Sequence, residues 1–131
     1  MKHLLIKAIA GSGLMLLTLT ANAQYEPRPD REAAREARHD RVFDQARSDL
    51  DRAETFAEPY TGDHDRLAVA RAQVDECQRA VATGEENGGT FGQTIAAIQR
   101  VVDRNRMPGR NRDLLVDDME ALRDLQASLQ G

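Results

Sequence analysis

The sequence contains no tryptophan, a single cysteine and few aromatic residues, which make up 4% of its 131 residues. One cysteine cannot form a disulfide within the chain, and it cannot complete a Cys₄ or Cys₂His₂ zinc site or a CxxCH haem attachment. After residue 23 there is no long apolar run, and no segment alternates apolar and polar residues as a half-buried strand does. These absences exclude disulfide-rich and zinc-finger folds, and the length suits one small domain.

Lysine is also missing from most of the chain, because Lys2 and Lys7 are the only two. Beyond residue 23 the sequence carries 16 arginines and 22 acidic residues, a net charge of −6 with histidine neutral. Such an acidic chain is poorly suited to binding along a nucleic acid backbone. We therefore expect no nucleic-acid partner.

The first 23 residues have the layout of a secretory signal peptide. Lys2, His3 and Lys7 form a positive start, an apolar stretch follows, and Ala21-Asn22-Ala23 offers the small side chains that a signal peptidase requires. The apolar stretch is shorter than the roughly 20 residues of a membrane-spanning helix. We expect cleavage after Ala23, a periplasmic or secreted location, and no membrane span in the mature chain.

Apolar residues in the mature chain recur every three or four positions, which is typical of one face of a helix. Leu, Ile, Val and Phe number only 19 among the 108 residues after residue 23, so this periodicity is the main indication of a fold. Four such stripes are present: Phe43, Ala46, Leu50, Ala53 and Ala57; Leu67, Ala70, Val74, Cys77 and Val81; Phe91, Ile95, Ile98 and Val102; and Leu115, Met119, Leu122, Leu125 and Leu129.

Proline and glycine fall between the stripes, at residues 58–62, 84–89 and 107–109. Asp63 and Thr90 are the expected N-caps of the second and third helices, and Pro108 or Asn111 is expected to start the fourth. Because the linkers are short, we predict an all-α fold, a small antiparallel up-down bundle of about four helices over residues 41–131. Residues 24–40 are charged and lack large apolar side chains, so we assign them to an N-terminal arm outside the bundle, which is either disordered or an extension of the first helix.

Two groups of side chains have spacings that metal sites use. Glu36 and His39 form a Glu-x-x-His pair next to Asp40, as in carboxylate-bridged di-metal bundles, but no second copy of the pair exists. Asp63, His64 and Asp65 cluster at a helix start. That cluster does not continue as an EF-hand loop, and capping explains its aspartates without an ion. We regard Glu36, His39, Asp63, His64 and Asp65 as weak metal candidates only.

No catalytic or cofactor-binding residue is indicated. Cys77 lies within an apolar stripe, where burial as a small apolar side chain is the first interpretation and an intermolecular disulfide the second. The glycine-rich segment 84–92 lacks the Lys-Ser/Thr of a phosphate-binding loop, and no nucleophile elbow is present. Neither a nucleophile–base pair nor a pair of carboxylates can be placed from the sequence.

The sequence therefore predicts a non-enzymatic protein-interaction module of the periplasm or extracellular space. Its partner would be another protein, either an unfolded client or an envelope component. Because many stripe positions are alanine, the core is small, and a homodimer is one way to cover residual apolar surface. The alternative is a bundle that binds a metal or a small ligand.

Overall fold

A computed structural model describes residues 27–85 and 88–130, which form four α-helices. They are α1 (Pro27–Glu54), α2 (Asp63–Thr83), α3 (Gly89–Arg104) and α4 (Gly109–Gln130). No strand occurs among the described residues. The predicted all-α class and the number of helices are therefore confirmed. The expected signal peptide, including Ala21-Asn22-Ala23, lies outside the described residues.

The chain divides into two compact units, residues 1–37 and 38–131. In the first unit the described residues belong to α1, and the side chains of residues 30–37 are all exposed. The second unit contains the helical core. Residues 27–40, for which the sequence left a helix and an arm open, are helical in the structure.

The apolar stripes supply most of the core of the second unit. Fully or nearly fully buried stripe residues are Phe43, Ala46, Leu50, Ala53, Leu67, Ala70, Val74, Cys77, Phe91, Ile98, Val102, Leu115, Met119, Leu122 and Leu125. Val81 and Ile95 are partly buried against them. Two stripe positions differ from expectation: Ala57 lies beyond the end of α1, and Leu129, in the last turn of α4, is 39% exposed.

Contacts between helices combine apolar packing with a few buried polar bonds. The rings of Phe43 on α1 and Phe91 on α3 are 6.4 Å apart between centroids, a distance at which aromatic rings attract each other. The hydroxyl of Thr94 on α3 lies 3.0 Å from the carbonyl oxygen of Gln73 on α2 and is fully buried. These contacts tie α3, the most apolar of the helices, to both of the helices that precede it.

The helix starts differ from the predicted caps. Asp63 is the first residue of α2, and the N-cap is Gly62, whose φ of 83° lies in the left-handed region that glycine tolerates. Asp63 does not cap because its carboxylate turns inward to other backbone amides, as described below. Thr90 is likewise inside α3, with Gly88 (φ 93°) as N-cap.

The fourth helix begins at Gly109, one residue after Pro108. The carbonyl oxygen of Pro108 accepts hydrogen bonds from the amides of Asn111 and Arg112 at 3.0 and 3.2 Å. Proline fits here because it has no amide hydrogen that a helix start would leave unpaired. No helix in the described part of the chain is both long enough and apolar enough to cross a membrane.

Two leucines on α4 provide a matched test of this core. Leu122 is fully buried, whereas Leu129 on the same helix is 39% exposed. We expect Leu122→Ala to lower the free energy of unfolding by about 2–5 kcal/mol, since it leaves a cavity. Leu129→Ala should change it by about 0.5 kcal/mol or less. Urea denaturation followed by circular dichroism measures both, and equal losses would contradict this placement of the core.

Candidate functional site

The predicted Glu-x-x-His pair lies on α1 with little around it. Glu36 is exposed, and His39 is partly buried. Asp40, the third residue of that group, accepts a hydrogen bond from Gln78 Nε2 on α2 at 2.9 Å. This interaction explains Asp40 as a contact between two helices, without an ion.

Asp63 lies at the centre of a buried polar cluster rather than in an exposed metal site. Its Oδ2 accepts hydrogen bonds from the backbone amides of Glu58 at 3.1 Å and Arg106 at 3.3 Å. Its Oδ1 accepts one from Arg66 Nη2 at 2.7 Å. Asn105 joins the cluster, donating from Nδ2 to the carbonyl oxygen of Asp63 at 3.0 Å. One carboxylate thus connects the α1–α2 loop with the α3–α4 loop.

The electrostatics of Asp63 agree with this structural role. Burial raises the pKa of the carboxyl group. The hydrogen bonds from the amides of Glu58 and Arg106 and from the side chains of Arg66 and Thr61 lower the pKa by more than burial raises it, so the net pKa lies below 3.8. The carboxylate therefore stays ionised at neutral pH, and both of its oxygens can accept these hydrogen bonds. An added cation would have to displace the positively charged Arg66.

The other two members of the predicted cluster point to different partners. His64 Nδ1 lies 3.6 Å from Glu54 Oε1 at the end of α1, and Asp65 is exposed. Nowhere in residues 27–85 and 88–130 do three or more His, Cys, Asp or Glu side chains gather closely enough to hold a metal ion. Cys77, in the middle of α2, is fully buried, so an intermolecular disulfide would require this helix to open.

A groove lies between the end of α1 and the start of α4, and we call it the α1–α4 groove. It has a volume of about 310 Å³. The residues that line it are Arg52, Thr55, Phe56, Arg110, Asn111 and Leu114. The ring of Phe56 is 41% exposed, although the sequence places it beside the first apolar stripe. The cause is that α1 ends at Glu54, so that Phe56 leaves the helical face that would have buried it.

The loop that contains Phe56 exposes a second aromatic ring. Tyr60 is fully exposed, and its φ of 67° lies in the left-handed region, which is costly for a residue with a side chain. No packing in the described part of the chain offsets this cost. Strained and exposed residues of this kind concentrate at functional sites.

Two aspartates on α1 and α4 form a buried pair that the sequence did not reveal. Asp49 is 2% exposed and Asp118 is 4% exposed, and their carboxyl groups are hydrogen-bonded. Gln45 Nε2 lies 3.1 and 3.2 Å from the two oxygens of Asp49, and Arg52 Nη1 lies 3.6 Å from its Oδ1. Asp49 is therefore surrounded by groups that stabilise its negative charge.

Asp118 has the opposite surroundings. Burial, the hydrogen bond to Asp49 and the charges of Asp49 and Asp117 raise the pKa of Asp118 to about 8. Its Oδ2 is buried and receives no hydrogen bond from any described residue. Two carboxyl groups can share a hydrogen bond only with a proton between them, so Asp118 holds that proton at neutral pH. Because both groups are closed off from solvent, the pair offers no site for a substrate.

Some signal for these two aspartates exists in the sequence. Asp49 precedes the buried Leu50, and Asp118 precedes the buried Met119, so each lies at the edge of an apolar stripe. Edge positions usually hold solvated charges, and only the packing of α1 against α4 shows that these two are enclosed. The residues of the α1–α4 groove come from two distant segments, and no spacing in the sequence connects them.

Asp63 gives a direct test of the buried cluster. We expect Asp63→Asn to lower the free energy of unfolding at pH 7 by about 1–3 kcal/mol. The NH2 group of asparagine would replace one accepting oxygen, and it would face an N–H donor with which it cannot form a hydrogen bond. The loss should shrink as the pH falls below 3.8, where the wild-type carboxylate itself becomes protonated. Asp65→Asn, an exposed change two residues away, should have little effect. Equal urea midpoints for the two variants would contradict the role of Asp63.

The Asp49–Asp118 pair predicts an unusual dependence on pH. Between pH 3.8 and about 8, folded Asp118 retains a proton that the unfolded chain has released, so the free energy of unfolding should fall as the pH rises through this range. Asp118→Asn keeps a donor toward Asp49 and removes the titration. It should raise the free energy of unfolding at pH 9 by roughly 1–3 kcal/mol.

Urea denaturation at pH 5, 7 and 9 measures this effect, with Asp113→Asn, an exposed change on the same helix, as the control. The control should retain the wild-type decline. If the Asp118→Asn profile runs parallel to that of the wild type, Asp118 is not the titrating group.

Comparison of this chain with protein-family models, with curated proteins and with solved structures found no match. The functional interpretation therefore depends on the geometry of the α1–α4 groove and its surroundings.

Proposed function

We propose that this chain is an exported, non-enzymatic protein-interaction module that binds its partner at the α1–α4 groove. The observation that carries the proposal is the exposure of Phe56 in a cavity flanked by Arg52 and Arg110. Aromatic residues, phenylalanine among them, and arginine are enriched at the cores of protein interfaces. Tyr60, exposed on the same loop, adds a second aromatic contact of the kind that such interfaces use.

The size of the groove favours a protein partner over a small ligand. A volume of about 310 Å³ lies at the lower end of the roughly 300–1,000 Å³ of ligand pockets, and the groove is open to solvent. It fits one anchoring side chain of a partner and leaves the rest of that partner on the surrounding surface. No comparable observation favours the alternative of a metal-binding bundle.

Export is supported by the sequence of residues 1–23, with its positive start, apolar stretch and Ala21-Asn22-Ala23. As part of the same proposal, the mature protein begins at Gln24 and works in the periplasm or outside the cell. Its partner is then an unfolded client or an envelope protein.

An antiparallel order of the helices is also part of the proposal. It is supported by contacts between successive helices, in which a later residue of one helix meets an earlier residue of the next. These contacts link Asp40 to Gln78, Glu54 to Arg71, Gln73 to Thr94, Asp63 to Asn105, and Gly88 to Gln126. In this order the end of α1 and the start of α4 lie side by side, as the groove requires.

Photo-crosslinking in cells tests the interaction. Benzoylphenylalanine at position 56 should form adducts with another polypeptide, because the ring lies at the proposed contact. The same amino acid at Arg123, an exposed position on α4 outside the groove, is the control. One discrete adduct would indicate a specific partner, and many adducts would indicate unfolded clients. Failure to crosslink at position 56, or equal crosslinking at both positions, would overturn the proposal.

A further inference from the structure

Two arginines of the α1–α4 groove keep their charge available to a partner. The side chain of Arg52 is 60% exposed, and its ion pair with buried Asp49 is long, at 3.6 Å. Arg110 is exposed and forms no ion pair with any described residue. A long ion pair with a largely exposed partner is weak, so much of the charge of Arg52 remains open to water.

The carboxylates nearest the end of α1 are engaged elsewhere. Asp51 lies 2.7 Å from Arg71 on α2, and Glu54 also pairs with Arg71. In the loop that follows, Glu58 pairs with Arg106 at 3.1 Å. The acidic side chains of this region therefore turn toward other arginines, and none of them lines the groove. A basic spot is the result, on a chain whose net charge is −4.

The backbone adds to this positive character. The groove includes the first turn of α4, which contains no acidic residue, and the start of a helix carries partial positive charge. The end of α1 would contribute negative charge, but the carbonyl oxygens of Arg52, Ala53 and Glu54 already accept hydrogen bonds from the amides of the next turn. The amides of Asn111 and Arg112 at the start of α4 are likewise bonded, to the carbonyl oxygen of Pro108, so the guanidinium groups of Arg52 and Arg110 are the main positive groups of the groove.

The rest of the groove lining combines two polar residues, Thr55 and Asn111, with an apolar part. The ring of Phe56 and the partly buried side chain of Leu114 provide a surface on which an aliphatic or aromatic side chain can lie. Positive charge beside an apolar surface complements a segment that carries carboxylates next to an apolar residue.

We propose that the α1–α4 groove binds an acidic segment of a partner protein, with one apolar side chain against Phe56 and Leu114 and its carboxylates at Arg52 and Arg110. This inference rests on the proposed function and names the chemistry of the partner at that same site.

Two labelled peptides test the inference by fluorescence anisotropy with the full mature chain. The first has a central phenylalanine flanked by two glutamates on each side, and the second has glutamines in place of the glutamates. We expect the acidic peptide to bind with a Kd about tenfold or more below that of the neutral one. The difference should shrink as the salt concentration rises, because salt screens exposed charges.

Two variants with the same change in charge locate the binding. Arg110→Glu should raise the Kd of the acidic peptide by about tenfold or more, whereas Arg123→Glu, outside the groove on the same helix, should leave it within about twofold. Circular dichroism verifies that both variants remain folded. If both weaken binding equally, the attraction is not local and the inference is wrong.

The remaining outcomes separate this inference from the proposed function. If the neutral peptide binds as well as the acidic one, the groove is an apolar docking surface, so the inference fails and the proposed function stands. If neither peptide binds while position 56 still crosslinks to a partner, the acidic segment is again excluded. Sedimentation and the crosslinking at position 56 together test for a second copy. If the chain is a dimer that added peptide does not dissociate, and position 56 crosslinks to another copy of the chain, the occupant is a second copy and the inference is overturned.

Discussion

The buried carboxylate of Asp63 holds the two loops at one end of the bundle in fixed positions. It accepts amide hydrogen bonds from Glu58, in the α1–α2 loop, and from Arg106, in the α3–α4 loop. The walls of the α1–α4 groove are joined to these loops, since Phe56 lies in the first loop and Arg110 follows the second. A single ionised side chain therefore determines the geometry of the surface that we assign to binding, although it does not belong to that surface.

The second buried acid site acts on the same pair of helices. Asp49 and Asp118 bring a carboxylate and a protonated carboxyl group together between α1 and α4. Burying charge is costly, and an apolar pair of similar size would avoid that cost. Between pH 3.8 and about 8 the folded chain keeps a proton on Asp118 that the unfolded chain releases, because a second buried negative charge would be costly, so the free energy of unfolding falls. Alanine occupies many positions in the core, so we expect the total free energy of unfolding to be small. The free energy of a change in the charge of the acid pair is then a large fraction of that total.

Charge is distributed unevenly around the groove in spite of the acidic composition. The acids at the end of α1 pair with Arg71 on α2, while Arg52 on α1 and Arg110 on α4 remain open to water. Exposed ion pairs contribute little to stability individually. Their effect here is to direct negative charge away from one surface, and the acidic partner that we propose depends on that arrangement rather than on the net charge.

The sequence by itself determined the helical class, the four apolar stripes and nearly all of the core, because a period of three to four residues is a local property of the chain. It also located the breaks between helices, while the caps at Asp63 and Thr90 were wrong since glycines there permit the turn one or two residues earlier. Only the tertiary structure decided the two buried acid sites and the groove. Each of them joins residues more than 40 positions apart, and whether such a side chain is enclosed depends on which helices pack together, which no local pattern contains.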